Sequence, residues 1–77
     1  MKIAVEVSIY PLHQSKISPP IEAAWEIFDK CGLSYEKGEI STLVKGEFEE
    51  VFDALKESFE KAVEFGDTNM SVTMTNI

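Results

Sequence analysis

Glu6 is the one carboxylate in the alternating stretch Lys2-Ile3-Ala4-Val5-Glu6-Val7-Ser8-Ile9-Tyr10. Successive side chains of a strand point to opposite faces. One face would then carry Ile3, Val5, Val7 and Ile9, and the other Ala4, Glu6, Ser8 and Tyr10. A carboxylate alone among small and hydroxyl-bearing side chains suits a donor-rich small molecule. The competing reading is structural: Glu6 pairs with a lysine or with hydroxyls across a subunit contact, or stays hydrated.

The elements that would hold this face follow from periodicity. Lys2 to Tyr10 read as a first strand, and Pro11 to Ser18 as a loop. Ser18-Pro19-Pro20 has the form of a helix start, with Ser18 as the N-cap. Ile21, Ala24, Trp25 and Phe28 then recur at helical spacing, and Gly32 closes the helix. Leu33 to Lys37 form a short strand, Gly38 supplies a turn, and Glu39 to Lys45 form a third strand. Gly46 opens a second helix with Glu47, Glu49 and Glu50 near its positive end. Its apolar stripe is Phe48, Val51, Phe52, Leu55, Phe59, Ala62 and Val63, and Gly66 ends it. Thr68 to Ile77 alternate again as a fourth strand.

The order β-α-β-β-α-β in one 77-residue domain predicts an α+β, ferredoxin-like sandwich. Two right-handed crossovers give strand order 4-1-3-2, with both helices on one face of an antiparallel sheet. The expected core is Ile3, Val5, Val7, Ile9, Trp25, Phe28, Phe52, Leu55, Phe59 and Val72, with Met70 and Met74 as filler and Cys31 as a small buried hydrophobe. His13, in a polar loop, is expected in solvent. The uncovered sheet face would gather Ala4, Glu6, Ser8, Tyr10, Ser71, Thr73 and Thr75, with one of Ser41 and Thr42, since alternation forbids both.

Composition narrows the partners. The net charge is −7, from 14 acidic and 7 basic residues, and every basic residue is a lysine. Arginine is the preferred fork for phosphates and base edges, so its absence, with the acidic balance, argues against nucleic acid and against a phosphate-rich substrate. An acidic protein is compatible with a cationic ligand. A domain this small buries only roughly 60% of its unfolded surface and usually needs a further support. One cysteine permits no internal disulfide and one histidine no Cys/His metal site, which leaves self-association. The fourth strand has no charged side chain after Asp67, although sheet edges are normally protected by charge. A lone cysteine, no leader-like start and no long apolar run fit a reduced, cytoplasmic setting away from membranes.

Val7-Ser8-Ile9-Tyr10-Pro11-Leu12 resembles the first-strand signature of the YkoF-like thiamine/hydroxymethylpyrimidine-binding proteins. Gly32-Leu33-Ser34-Tyr35-Glu36, Ile40-Ser41-Thr42, Gly46-Glu47 and Val51-Phe52-Asp53-Ala54-Leu55 are similar, in order and spacing, to that family's later segments. The resemblance implies a ferredoxin-like domain that assembles into dimers or tetramers and binds the aminopyrimidine of thiamine, without catalysis. A carboxylate can accept from the exocyclic amine of that ring or pair with a protonated ring nitrogen. The residues singled out for ligand contact are Glu6, Ser8, Tyr10, Ser41, Thr42 and Thr73. Tyr10 or Trp25 could stack on the ring, although Trp25 also lies on the core stripe of its helix.

No catalytic arrangement competes with this. One histidine assembles no Ser/His/Asp triad, and the first loop lacks the arginine of small acylphosphatases of this topology. No resident cofactor or metal is expected. The alternative function is a regulatory or structural oligomeric module that binds another small molecule, such as an amino acid.

Overall fold

The computed structural model describes the whole chain, Met1 to Ile77. Its elements are β1 (Lys2–Pro11), α1 (Ser18–Lys30), β2 (Ser34–Lys37), β3 (Thr42–Glu47), α2 (Phe48–Ala62) and β4 (Thr68–Asn76). A short 3-10 turn, Val63–Phe65, follows α2. The strands form one antiparallel sheet in the order β2-β3-β1-β4, as the two crossovers require. No helix is long and apolar enough to cross a membrane.

Alternation in β1 decides which side is core. Ile3, Val5 and Val7 are buried, and they meet Ala24, Ile27 and Phe28 of α1 and Val51, Ala54 and Leu55 of α2 in one cluster. Residues directly opposite in a ladder share a face. Val5 is opposite Val44, and Val7 is opposite Thr42 on one side and Val72 on the other, so these residues lie beneath the helices. Glu6 is opposite Leu43 and Thr73 and lies on the uncovered face.

The expected core shrinks at one flank. Phe52 is 53% exposed, and Phe59 and Val72 are each 39% exposed. The side of α2 that meets α1 is marked by Glu57, whose carboxylate pairs with Lys30 at 3.1 Å. At 3.6 residues per turn, Phe52 and Phe59 fall on nearly the opposite side of that helix. Two helices do not cover four strands, and the part left bare is the flank over the edge strand β4. Met74 is exposed there too, while Met70, Ile9 and Trp25 pack partly against the core. Cys31 is exposed rather than buried, because it follows the last turn of α1 instead of lying on its inner stripe. His13 lies in solvent, with Nδ1 3.6 Å from the Asp67 carboxylate.

Three boundaries differ from expectation. α1 begins at Ser18 with Ile17 in the cap position and no side-chain cap bond. Pro19 and Pro20 follow immediately and carry no N–H for a cap to satisfy. β3 begins at Thr42, because Gly38 N–H donates to the Ser41 carbonyl at 2.8 Å and folds Gly38 to Ser41 into the hairpin tip. Gly46 belongs to β3, opposite Ile3, rather than to the start of α2. A Cβ there would stand 2.8 Å from Leu33 Cδ2 and 3.2 Å from Val51 Cγ2, so glycine lets β3 lie close under α2.

Candidate functional site

A cavity of about 410 Å³ opens where β1 leaves the sheet, between α1 and the β2–β3 hairpin. Its floor is Val7 and Thr42, from the helix-facing side of the sheet. Ile21, Ala24, Trp25 and Phe28 form the α1 wall. Their recurrence at helical spacing is the stripe that packs α1 on the sheet, so the core stripe and the cavity wall are one feature. Tyr10, Pro11 and Ile17 line it from the β1–α1 connection, and Gly38 to Ser41 from the hairpin tip.

Local bonds hold these walls in place. Trp25 Nε1 donates to Thr42 Oγ1 at 3.0 Å and ties α1 to β3. Ser8 Oγ donates to the Ile40 carbonyl at 3.2 Å and ties the hairpin tip to β1. The loop after β1 is anchored at Asp67, whose carbonyl accepts from Leu12 N–H at 2.8 Å and from Gln14 Nε2 at 2.7 Å. Phe28 is backed by the Tyr35 ring at 5.8 Å between centroids. Desolvation and the neighbouring Asp29 carboxylate both raise the Tyr35 phenol above its ordinary pKa, since both disfavour the phenolate.

Four of the six residues singled out from the sequence meet here. Ser8 and Ser41 are half-buried, Thr42 is buried, and Tyr10 is exposed at the rim. Thr42 points under the helices, which settles which of Ser41 and Thr42 leaves the open face. Glu6 and Thr73 face each other across β1 and β4 on the uncovered side of the sheet, and neither lines the cavity.

The one carboxylate in the lining is Glu39, on the hairpin tip. Lys37 Nζ lies 4.4 Å from the centroid of the Trp25 ring, in cation–π range. Ile40, 83% exposed, and Ile17, 60% exposed, stand at the cavity with their apolar side chains in water. Sequence reasoning passed over Glu39, Ile17 and Ile40 because nothing periodic marks a loop residue; the glycine turn beside Glu39 was the available signal. No group of three or more His, Cys, Asp or Glu side chains is placed to hold a metal ion.

The sequence profile of the thiamine-binding protein family matches residues 5–75, which is nearly all of the chain. The chain belongs to the thiamine-binding protein family. A UPF0045 protein of Methanocaldococcus jannaschii is 34% identical over 58 residues, 74% of this chain. This member spans 58% of the length of that curated relative. A crystal structure of the same archaeal protein superposes with a TM-score of 0.89 at 27% identity, covering 99% of this chain and 80% of that one. A Thermotoga maritima protein, provisionally named for thiamine biosynthesis or salvage, superposes at 0.87 with 26% identity, covering 100% of this chain and 85% of that one. A Streptococcus pneumoniae protein shares the fold at 0.89 with 22% identity. Within the thiamine-binding protein family, then, this chain carries its cavity on the helix side of the sheet, fed by α1 and the hairpin tip.

Proposed function

We propose that this member of the thiamine-binding protein family binds thiamine or its hydroxymethylpyrimidine part in the α1–hairpin cavity, as a binding protein rather than an enzyme. The observation that carries the reading is the cavity itself: apolar walls with an indole, hydroxyls at the floor and rim, and one carboxylate. Its volume falls within the usual range for small-molecule sites, roughly 300–1,000 Å³. A flat aminopyrimidine suits such a slot. Its ring would lie against Trp25 or Tyr10, and its exocyclic amine would donate to Glu39. Ser41 and Thr42 supply the remaining polar contacts. Ser8 contributes by fixing the tip that carries Glu39.

Self-association belongs to the same proposal. The outer edge of β4 is unpaired, and its side chains from Thr68 to Asn76 are uncharged. Phe52 and Phe59 lie bare beside it. A homodimer or homotetramer would cover this flank, the uncovered sheet face with Glu6 and Thr73, or both. Glu6 and Thr73 would reach a ligand only where a second copy closes that face.

The reading is tested by thermal shift and calorimetry against thiamine, its phosphates and hydroxymethylpyrimidine, with free amino acids as the competing class. A ligand at ~100 times its dissociation constant adds about 2.7 kcal/mol to the native state. Stabilisation by an amino acid and by none of the pyrimidines would replace this reading with the regulatory one.

A further inference from the structure

Two hydroxyl side chains are buried, Ser58 and Thr42, and they are satisfied differently. Ser58, in α2, donates to the Leu55 carbonyl at 2.9 Å. Thr42, 7% exposed, accepts from the indole Nε1 of Trp25 at 3.0 Å. An indole N–H is only a donor, so this bond uses a lone pair of Thr42 Oγ1 and leaves the hydroxyl's own proton unspent. No carbonyl or carboxylate of the protein accepts that proton. Thr42 lies on the helix-facing side of β3 and forms part of the cavity floor.

A donor shut away without an acceptor is costly, so the floor favours a ligand that brings one. The surroundings decide the acceptor's charge. Val7, Ala24 and Phe28, which also line the cavity, are buried and apolar, and no Lys, Arg or His side chain lines it. An anionic acceptor would lie there as an unpaired charge. A protonated ring nitrogen would set donor against donor. A neutral heteroaromatic nitrogen avoids both penalties.

We infer that the Thr42 hydroxyl donates to an unprotonated ring nitrogen of the ligand, and that Trp25 is the positioning residue that keeps this hydroxyl a donor. The inference rests on the aminopyrimidine reading of the same cavity and adds which atom is read at its floor. A neutral aminopyrimidine carries such a nitrogen beside its exocyclic amine. Its ring therefore enters first. The thiazolium of thiamine stays toward the exposed rim, where Tyr10, Ile17 and Ile40 stand.

Hydroxymethylpyrimidine, thiamine and an aminobenzene analogue of the pyrimidine, with both ring nitrogens replaced by C–H, are titrated by calorimetry. The proteins are wild type, Thr42→Val, Thr42→Ser and Trp25→Phe, each checked for native circular dichroism. Wild type should prefer the pyrimidine to the aminobenzene by about tenfold or more, because a C–H leaves the buried donor unmet. Thr42→Val should weaken the pyrimidine and thiamine alike by about three- to tenfold, the usual worth of a neutral hydrogen bond. It should also nearly abolish the preference over the aminobenzene, which Thr42→Ser should retain. Trp25→Phe keeps a ring at the wall but frees the hydroxyl to accept as well as donate, so the preference should narrow. A ratio unchanged in Trp25→Phe overturns its positioning role, since a merely structural ring would weaken both ligands equally. A preference unmoved by Thr42→Val overturns the whole inference and leaves the aminopyrimidine reading standing. Binding of neither the pyrimidine nor thiamine to wild type overturns both.

Discussion

Trp25 and Thr42 are joined by a 3.0 Å hydrogen bond from indole Nε1 to hydroxyl Oγ1, at the wall and floor of the cavity. The bond crosses from α1 to β3 and so sets the distance between the two elements that enclose the site. Replacing Trp25 by Phe keeps an apolar ring but orphans the buried hydroxyl. It should cost about 1–3 kcal/mol, the penalty for an unpaired buried polar group. Thr42→Val should cost less, because the indole is only half-buried and can reach water. Urea unfolding of both single variants and the double variant should give a coupling of about 1 kcal/mol, and strict additivity would show that the bond does not form.

The two candidate carboxylates make opposite predictions. Glu39→Gln should weaken hydroxymethylpyrimidine by about 1.5–3 kcal/mol if the bond to the amine is charge-assisted. Glu6→Gln should leave that affinity unchanged, because Glu6 lies on the other side of the sheet. Calorimetry decides. A loss at Glu6 and none at Glu39 would move the site to the uncovered sheet face.

Gly46→Ala should destabilise the fold by about 1–3 kcal/mol, the usual cost of overpacking, because the new methyl would meet Leu33 and Val51. Gly38→Ala should act on binding more than on stability. Its Cβ would stand 2.7 Å from the Ser41 carbonyl oxygen and push open the tip that carries Glu39. Denaturation midpoints and ligand titration, measured on both variants, should separate in that way.

Assembly is checked by sedimentation at micromolar concentration. Wild type should sediment as a dimer or larger, and Phe52→Glu with Val72→Lys should sediment as a monomer that keeps its circular dichroism. A wild-type monomer would mean that Phe52 and Phe59 stay in water.

Stability should fall with pH on the alkaline side because of Tyr35. Its phenol is raised above the unfolded value of about 10, so the folded state holds the proton more tightly. That contribution is complete below the unfolded pKa and is lost as pH rises through the folded one. Tyr35→Phe should flatten the stability profile above pH ~10, and an unchanged slope there would assign the effect to other groups.

The sequence by itself determined the element order, the antiparallel sheet and the side of β1 that becomes core. Each of these follows from period: alternation at Ile3, Val5 and Val7, and helical recurrence at Ala24, Phe28, Val51 and Leu55. Period says which residues share a face, and one buried face then forces the register. Tertiary structure decided the rest. It left Phe52 and Phe59 uncovered, because helix spacing marks an apolar stripe but not the width of the sheet beneath it. It left Glu6 on the uncovered face that the pattern had marked and formed, on the other side of the sheet, a cavity whose one carboxylate is Glu39. The cavity is made by α1, a loop and a hairpin tip that are distant in sequence. Their meeting depends on how closely α1 packs and how the tip folds, and no local periodicity records that.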